Sequence, residues 1–223
     1  WRGHVTLEST PQERLKPGLL TSGIDGNPGG LAGVWAKENS RDAIFSAMQR
    51  REVFGTSGTR IIPRFFAGWN FPDTICSSAN LVEIAYANGV PMGSDLPASN
   101  SGNNNPLFLA AASRDINSAT LERIQLIKGW IDKKGEMRSK VITIVEQPKG
   151  TENLCALYSD HTFNKNEYSY YYLRVLERPT KRWSQYDCDR LTQDARPEAC
   201  SGNNYPSTVQ EMAWTSPIWF TPE

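Results

Sequence analysis

The chain is 223 residues long and carries 24 Lys+Arg against 24 Asp+Glu, a formal net charge of zero. That balance, with no basic stripe to offset it locally, argues against a nucleic-acid or anionic-lipid partner. No apolar run approaches the ~20 residues of a membrane-spanning helix, so no membrane span is expected.

In chain order, Trp1 to Gly26 is poor in pattern. Pro11, Pro17, Gly18, Gly23 and Gly26 punctuate it, and it reads as a loop-like leader, or else as a partly disordered one. Trp1 is not a methionine and no signal-like segment precedes the fold, so the expectation is the C-terminal piece of a longer polypeptide.

Asn27-Pro28-Gly29-Gly30 is a turn signal, because proline presets one φ and glycine accepts positive φ at no steric cost. A short apolar run, Leu31 to Ala36, follows. Asn39-Ser40-Arg41-Asp42 then opens a helix, with a short polar cap and an acid three residues on. Ile44, Ala47 and Met48, with Phe45 beside them, predict one apolar face. Arg41, Asp42, Ser46, Gln49 and Arg50 are expected to face water. The helix should stop near Glu52, since Gly55 and Gly58 break it, and Arg60 to Phe66 reads as a strand.

Beyond Trp69 the chain becomes rich in short strands. Leu81 to Tyr86 reads as a short strand or a helical turn, Asn88-Gly89 as a turn, and Ser99 to Asn105 as a polar loop. Leu107 to Ala111, Leu121 to Ile127, Lys140 to Glu146, Leu154 to Tyr158, Tyr168 to Glu177 and Ile218 to Phe220 are predicted strands. Asp115 to Ser118 is a turn between the first two. Short strands at such intervals are the pattern of a β-sandwich.

Four cysteines, Cys76, Cys155, Cys188 and Cys200, stand outside any C-x-x-C spacing, which disfavours a zinc knuckle or a thioredoxin-like motif. Cys188 and Cys200 bracket a polar, turn-rich segment that a disulfide would close, leaving Cys76 with Cys155; buried free thiols are the alternative. Disulfides point to export, to the periplasm or outside the cell.

The run from Asn27 to Trp69 is followed in order by Gly89 to Gly93 (GVPMG), Arg123 to Trp130 (RIQLIKGW), Tyr171 to Glu177 (YYLRVLE) and Ala213 to Trp219 (AWTSPIW). Together these segments resemble a large, mostly bacterial family of uncharacterised function related to the PHP (polymerase and histidinol phosphatase) metal hydrolases. The resemblance implies an α+β, mostly β chain. Residues 1–69 would be the end segment of a PHP-like fold, with one main helix, and residues 70–223 an antiparallel β-sandwich-like domain.

It also implies that the parent protein is a metal-dependent hydrolase of a phosphoester or a related ester or carbamate bond. The divalent metal of that parent would be held by histidine and acid motifs lying before Trp1. No cofactor is expected in this chain, which alone would be inactive. Its partners would be the missing N-terminal portion and a small-molecule substrate. The alternative is a non-catalytic β-sandwich module that binds a carbohydrate or a partner surface.

Candidate site residues are few. His4 and His161 are the only histidines, with no H-x-H pair, and a metal site needs several ligands around one ion. His161 reads as a surface turn residue. His4, close after the last expected PHP metal motif, is a peripheral substrate-facing candidate. Glu38, Asn39 and Arg41 stand at a helix N-terminus, which carries partial positive charge and free N–H groups. The resemblance puts that helix on the rim of the PHP-like part, making Arg41 and Arg60 further substrate-facing candidates. Capping and surface ion pairs are the structural alternative.

Ser57 in Gly55-Thr56-Ser57-Gly58 is not in a nucleophile elbow and reads as part of a tight connection, or as an anion-binding turn with Arg60. Tyr168, Tyr170 and Tyr172 alternate along one strand, with Trp183, Trp214 and Trp219 downstream. They read as core aromatics, or else as a sugar-binding platform.

Overall fold

The computed structural model describes residues 10–16, 24, 26, 29–99, 105–201 and 205–222. His4 therefore lies outside the described residues, as do most of the Trp1 to Gly26 leader, half of the Asn27 to Gly30 turn and most of the Ser99 to Asn105 loop.

The chain divides into two compact units, one of residues 1–29 and 179–210, the other of residues 30–178 and 211–223. The expected boundary after Trp69 falls inside the second unit.

In chain order the second unit contains β1 (Leu31–Val34), α2 (Arg41–Gln49), β2 (Val53–Thr56), β3 (Ile62–Gly68), α3 (Leu81–Asn88) and β4 (Gly89–Pro91). It continues with β5 (Leu107–Ser113), β6 (Leu121–Ile131), β7 (Met137–Thr151), β8 (Asn153–Ser159) and β9 (Ser169–Glu177), and ends with β12 (Met212–Thr215) and β13 (Ile218–Phe220). The first unit contributes α1 (Pro11–Arg14), β10 (Thr180–Lys181), α4 (Trp183–Arg190) and β11 (Thr208–Val209).

The second unit is two antiparallel sheets packed face to face, as the sandwich pattern predicts. One runs β1-β2-β12-β9-β6-β7, with β13 also on β9, and the other runs β4-β3-β5-β8. Alternation decides what faces inward. Ile124 and Leu126 on β6 and Tyr171, Leu173 and Val175 on β9 meet Phe65 and Ala67 on β3 and Phe108 and Ala110 on β5 in one core. Phe108 and Tyr171 make contact across it, with ring centroids 4.2 Å apart.

The four-stranded sheet is also covered on its other face. Phe66 and Leu109 pack there with Phe71, Ile75 and Ala85, beneath α3 and the 3-10 turn Ile75–Ser77. Burial on both faces explains why β3 reads as an almost unbroken apolar run. The Cys76–Cys155 disulfide ties that turn to β8, closing 79 residues of chain.

Several local expectations are corrected. The helix cap is Ser40, not Asn39: its Oγ accepts the Ala43 N–H at 3.3 Å. The predicted apolar stripe of α2 is barely used, for Ala47 is buried while Phe45 and Met48 are exposed. The helix ends at Gln49 through backbone geometry rather than at the glycines. Arg51, at φ 59°, occupies the left-handed region, its N–H reaching Met48 O at 2.9 Å and the Glu52 N–H reaching Ala47 O at 3.1 Å.

The segment after Ser78 is an eight-residue helix, and Gly89 begins a strand rather than closing a turn. The strand expected over Lys140 to Glu146 runs much further, from Met137 to Thr151.

The first unit also departs from the predicted loops. Pro11–Arg14 forms a helical turn with a full Thr10–Glu13 capping box. The helix Trp183–Arg190 leaves no periodic stripe in the sequence, because its apolar residues are too few. Around it Leu15, Ile24, Cys188 and Leu191 form a small core. Arg14 grips Asp187 with two parallel bonds, Nε–Oδ2 2.7 Å and Nη2–Oδ1 2.6 Å. The Cys188–Cys200 disulfide closes this unit's loop, as expected.

Candidate functional site

Charged side chains of the second unit converge in a cavity of about 470 Å³ beside the end of α2. Its back wall is set by β3. Pro63 and Phe65 point to the sandwich core, so Arg64 projects from the opposite face, among apolar neighbours. There its guanidinium carbon sits over Trp35, 3.1 Å from the ring centroid. Trp35 is held at both ends: the backbone N–H donates to Glu52 O at 3.0 Å and the indole N–H to Pro63 O at 3.1 Å.

Glu52 enters the cavity because Arg51 adopts the left-handed conformation that ends α2. For a non-glycine residue that conformation costs on the order of 1 kcal/mol. Glu52 is buried (4% exposed), and its carboxylate accepts the Tyr86 hydroxyl proton and an Arg50 N–H at 3.4 Å. Burial, then the hydrogen bond and the negative charge of Glu52, push the Tyr86 phenol up to about 12. Burial likewise pulls Arg64 below the usual guanidinium range, opposed by Tyr86 and Glu52. An arginine starts so high that it stays charged. Lys37, Arg50 and Arg64 thus share the lining with one carboxylate, Glu52, and Ala36 and Val82 are also part of it.

The residues singled out in the sequence lie elsewhere. Arg41 is exposed at the first turn of α2, Asn39 is exposed before it, and Glu38 accepts a hydrogen bond from Ser40 Oγ at 2.8 Å. Arg60 is exposed, and its backbone N–H donates to Asp115 Oδ2 at 2.8 Å. None of these four lines the cavity.

Ser57 Oγ accepts the Met212 N–H at 2.9 Å and donates to Glu211, a structural link between β2 and β12. The loop's N–H groups are also spent, Ser57 on Met212 O and Gly58 on Thr56 Oγ1. His161 is exposed, with Nδ1 3.2 Å from Asn105 Nδ2. Among the described residues no three His, Cys, Asp or Glu side chains converge as metal ligands would.

What sequence reasoning missed is Trp35, Glu52, Arg64 and Tyr86. One signal was readable: Arg64 is the single charge in Ile61-Ile62-Pro63-Arg64-Phe65-Phe66-Ala67-Gly68, and a charge there needs a dedicated environment.

The aromatic residues divide by strand parity. Tyr171 is core, whereas Tyr170, Tyr172 and Trp219 line the outer face of the seven-stranded sheet. Tyr170 and Tyr172 stack at 6.4 Å, and Trp219 lies 5.3 Å from Tyr170. Tyr170 and Trp219, with Trp130, Ile131, Met137 and Tyr168, border a second cavity of about 330 Å³. Reading these tyrosines as core is therefore corrected: Tyr168 is exposed, and Tyr170 and Tyr172 are half-buried. Trp183 belongs to the other unit, where its indole donates to Gly26 O at 3.0 Å.

A family model described as a protein of unknown function (DUF3604) matches residues 3–148 and 143–222. The chain belongs to this family. No curated protein and no solved structure matches it. For this DUF3604 member the described helices include none long and apolar enough to cross a membrane.

Proposed function

We propose that the chain is the C-terminal part of an exported, PHP-like, metal-dependent hydrolase acting on a phosphoester or a related ester or carbamate bond. The observation that carries this reading is the ordered resemblance running from Asn27 to Trp219, whose motifs are specific together rather than singly. By the same resemblance the family's metal positions would lie before Trp1. The described residues do not themselves fit a metal centre, so no chemical step is assigned to them. Activated water would come from the upstream portion, the partner of this chain. The Cys76–Cys155 and Cys188–Cys200 disulfides support export, since such bonds persist in oxidising compartments.

The test uses the full-length polypeptide. Its upstream residues should contain H-x-H and D-x-H motifs, it should carry stoichiometric divalent metal, and it should hydrolyse aryl phosphates or aryl carbamates only with that metal. Absence of those motifs, or metal-free turnover by the 223-residue chain alone, overturns the reading.

A non-catalytic module that binds carbohydrate is the second reading, favoured by the outward Tyr170, Tyr172 and Trp219 rings. Flat rings on a sheet face offer the π surface against which sugar C–H groups stack. Retardation of the chain in gels containing soluble polysaccharide, lost in a Trp219→Ala variant, would support it; unchanged mobility would rule it out.

A further inference from the structure

The geometry points to the Trp35–Arg64 cavity as a binding site for a small organic anion: a carboxylate or phosphate head on an apolar body, its head taken by Arg64. This goes beyond the hydrolase reading, because the site lies wholly in this chain and does not depend on what precedes it.

Four observations converge. First, the Trp35 ring covers one side of the Arg64 guanidinium and the Tyr86 hydroxyl is its hydrogen-bonding neighbour, so the five N–H donors of the group exceed what that one hydroxyl can accept. Among the described residues no carboxylate comes within ion-pairing distance of Arg64, the carboxylate of Glu52 being engaged by Tyr86 and Arg50. Second, Lys37, Arg50 and Arg64 outnumber the single acid, Glu52, so the cavity favours a negative occupant. Third, the remaining walls, the Trp35 and Tyr86 rings with Ala36 and Val82, suit an apolar body. The volume of about 470 Å³ falls within the range of small-molecule sites.

Fourth, the site is held in place before any ligand arrives. Trp35 is fixed by its backbone and its indole N–H, Tyr86 by Glu52 and by edge-on contact with Phe66 at 5.0 Å, and Glu52 by the left-handed Arg51. A receptor that need not reorganise loses little affinity to ordering, and a non-glycine residue kept in the left-handed region belongs with such sites. A purely structural stack of Arg64 on Trp35 would account for the first contact, but not for the surplus of cations around an open volume.

The experiment is calorimetric titration of the 223-residue chain with phenyl phosphate, benzoate, inorganic phosphate and neutral benzyl alcohol. Phenyl phosphate or benzoate should bind with one-to-one stoichiometry, weaken as NaCl is raised, and outcompete benzyl alcohol at least tenfold. Comparing the two aromatic anions shows which head group is preferred, and inorganic phosphate shows how much the head contributes alone. Arg64→Met should weaken the preferred anion at least tenfold while leaving the circular dichroism spectrum unchanged. Should that variant fail to fold, Lys37→Glu decides instead: Lys37 is exposed, and reversing its charge should weaken binding threefold or more. The proposal is overturned if no anion binds the wild-type chain, if benzyl alcohol binds as tightly, or if a folded variant binds unchanged.

Discussion

Lys128 Nζ lies 2.7 Å from Asp160 Oδ2, and both side chains are buried inside the sandwich. Lys128 also donates to Thr162 O at 3.0 Å, while Asp160 accepts from the Tyr171 hydroxyl at 2.8 Å and from the Thr162 N–H at 2.9 Å. Each charge is thus surrounded by hydrogen bonds, the condition under which a buried pair is tolerated.

Removing one partner should therefore be costly. Asp160→Ala leaves the Lys128 charge buried without its counterion and is expected to lower stability by about 3–5 kcal/mol. Replacing both together, Lys128→Met with Asp160→Leu, should cost much less. Urea denaturation of the single and double variants measures the difference.

The same aspartate sets an acid limit. Burial alone would raise its pKa, but the hydrogen bonds from Lys128, Thr162 and Tyr171 outweigh burial and hold it below the usual carboxylate range. A folded value below the unfolded one means that this contribution is complete above about pH 4 and is lost as pH falls through the folded value. A scan of stability against pH should show that loss in the wild type and not in Asp160→Asn.

Glu177 titrates in the opposite sense. Fully buried and accepting the Ser118 hydroxyl proton at 2.5 Å, it is pushed upward chiefly by burial, then by repulsion from Glu211 and Asp115. Here the folded state holds the proton more tightly than the unfolded one. Stability should fall as pH rises from about 4.3 through the raised folded value. Glu177→Gln is expected to flatten that slope and to leave the protein at least as stable at pH 7. A Gln variant clearly less stable at pH 7 would contradict this assignment.

The two disulfides should differ in weight. The chain-entropy model assigns about 4–5 kcal/mol to Cys76–Cys155, which spans 79 residues, and about 3 kcal/mol to Cys188–Cys200, which spans 12. Serine pairs at each position, compared by guanidinium denaturation, test that order. Intact mass should rise by four hydrogens on full reduction.

Gly129 and Tyr170 are cross-strand partners on β6 and β9, and a Cβ at Gly129 would come 2.3 Å from the Tyr170 ring. The ring lies over the glycine and fills the space a side chain would take. Gly129→Ala should displace Tyr170, lower stability by about 1–3 kcal/mol and alter the near-ultraviolet circular dichroism of the stacked aromatics. An unchanged spectrum would show that the ring does not depend on the glycine.

Much of this protein was determined by its sequence alone. The strands were legible because short apolar and aromatic runs recur between turn residues, and β6, β9 and β13 fall where those runs put them. Both disulfides followed from cysteine usage, and family membership from ordered motifs spread along the whole chain. Tertiary structure decided the rest. Whether Tyr170 or Tyr171 faces the core depends on which side of the sheet meets its partner, and alternation is blind to that choice. The stripe on α2 promised burial for Met48, yet a helix buries only the face that finds a neighbour. The candidate site unites Trp35, Glu52, Arg64 and Tyr86, residues far apart in the chain. Local patterns report the next turn or the next strand, whereas a convergent site exists only once the chain has folded back upon itself.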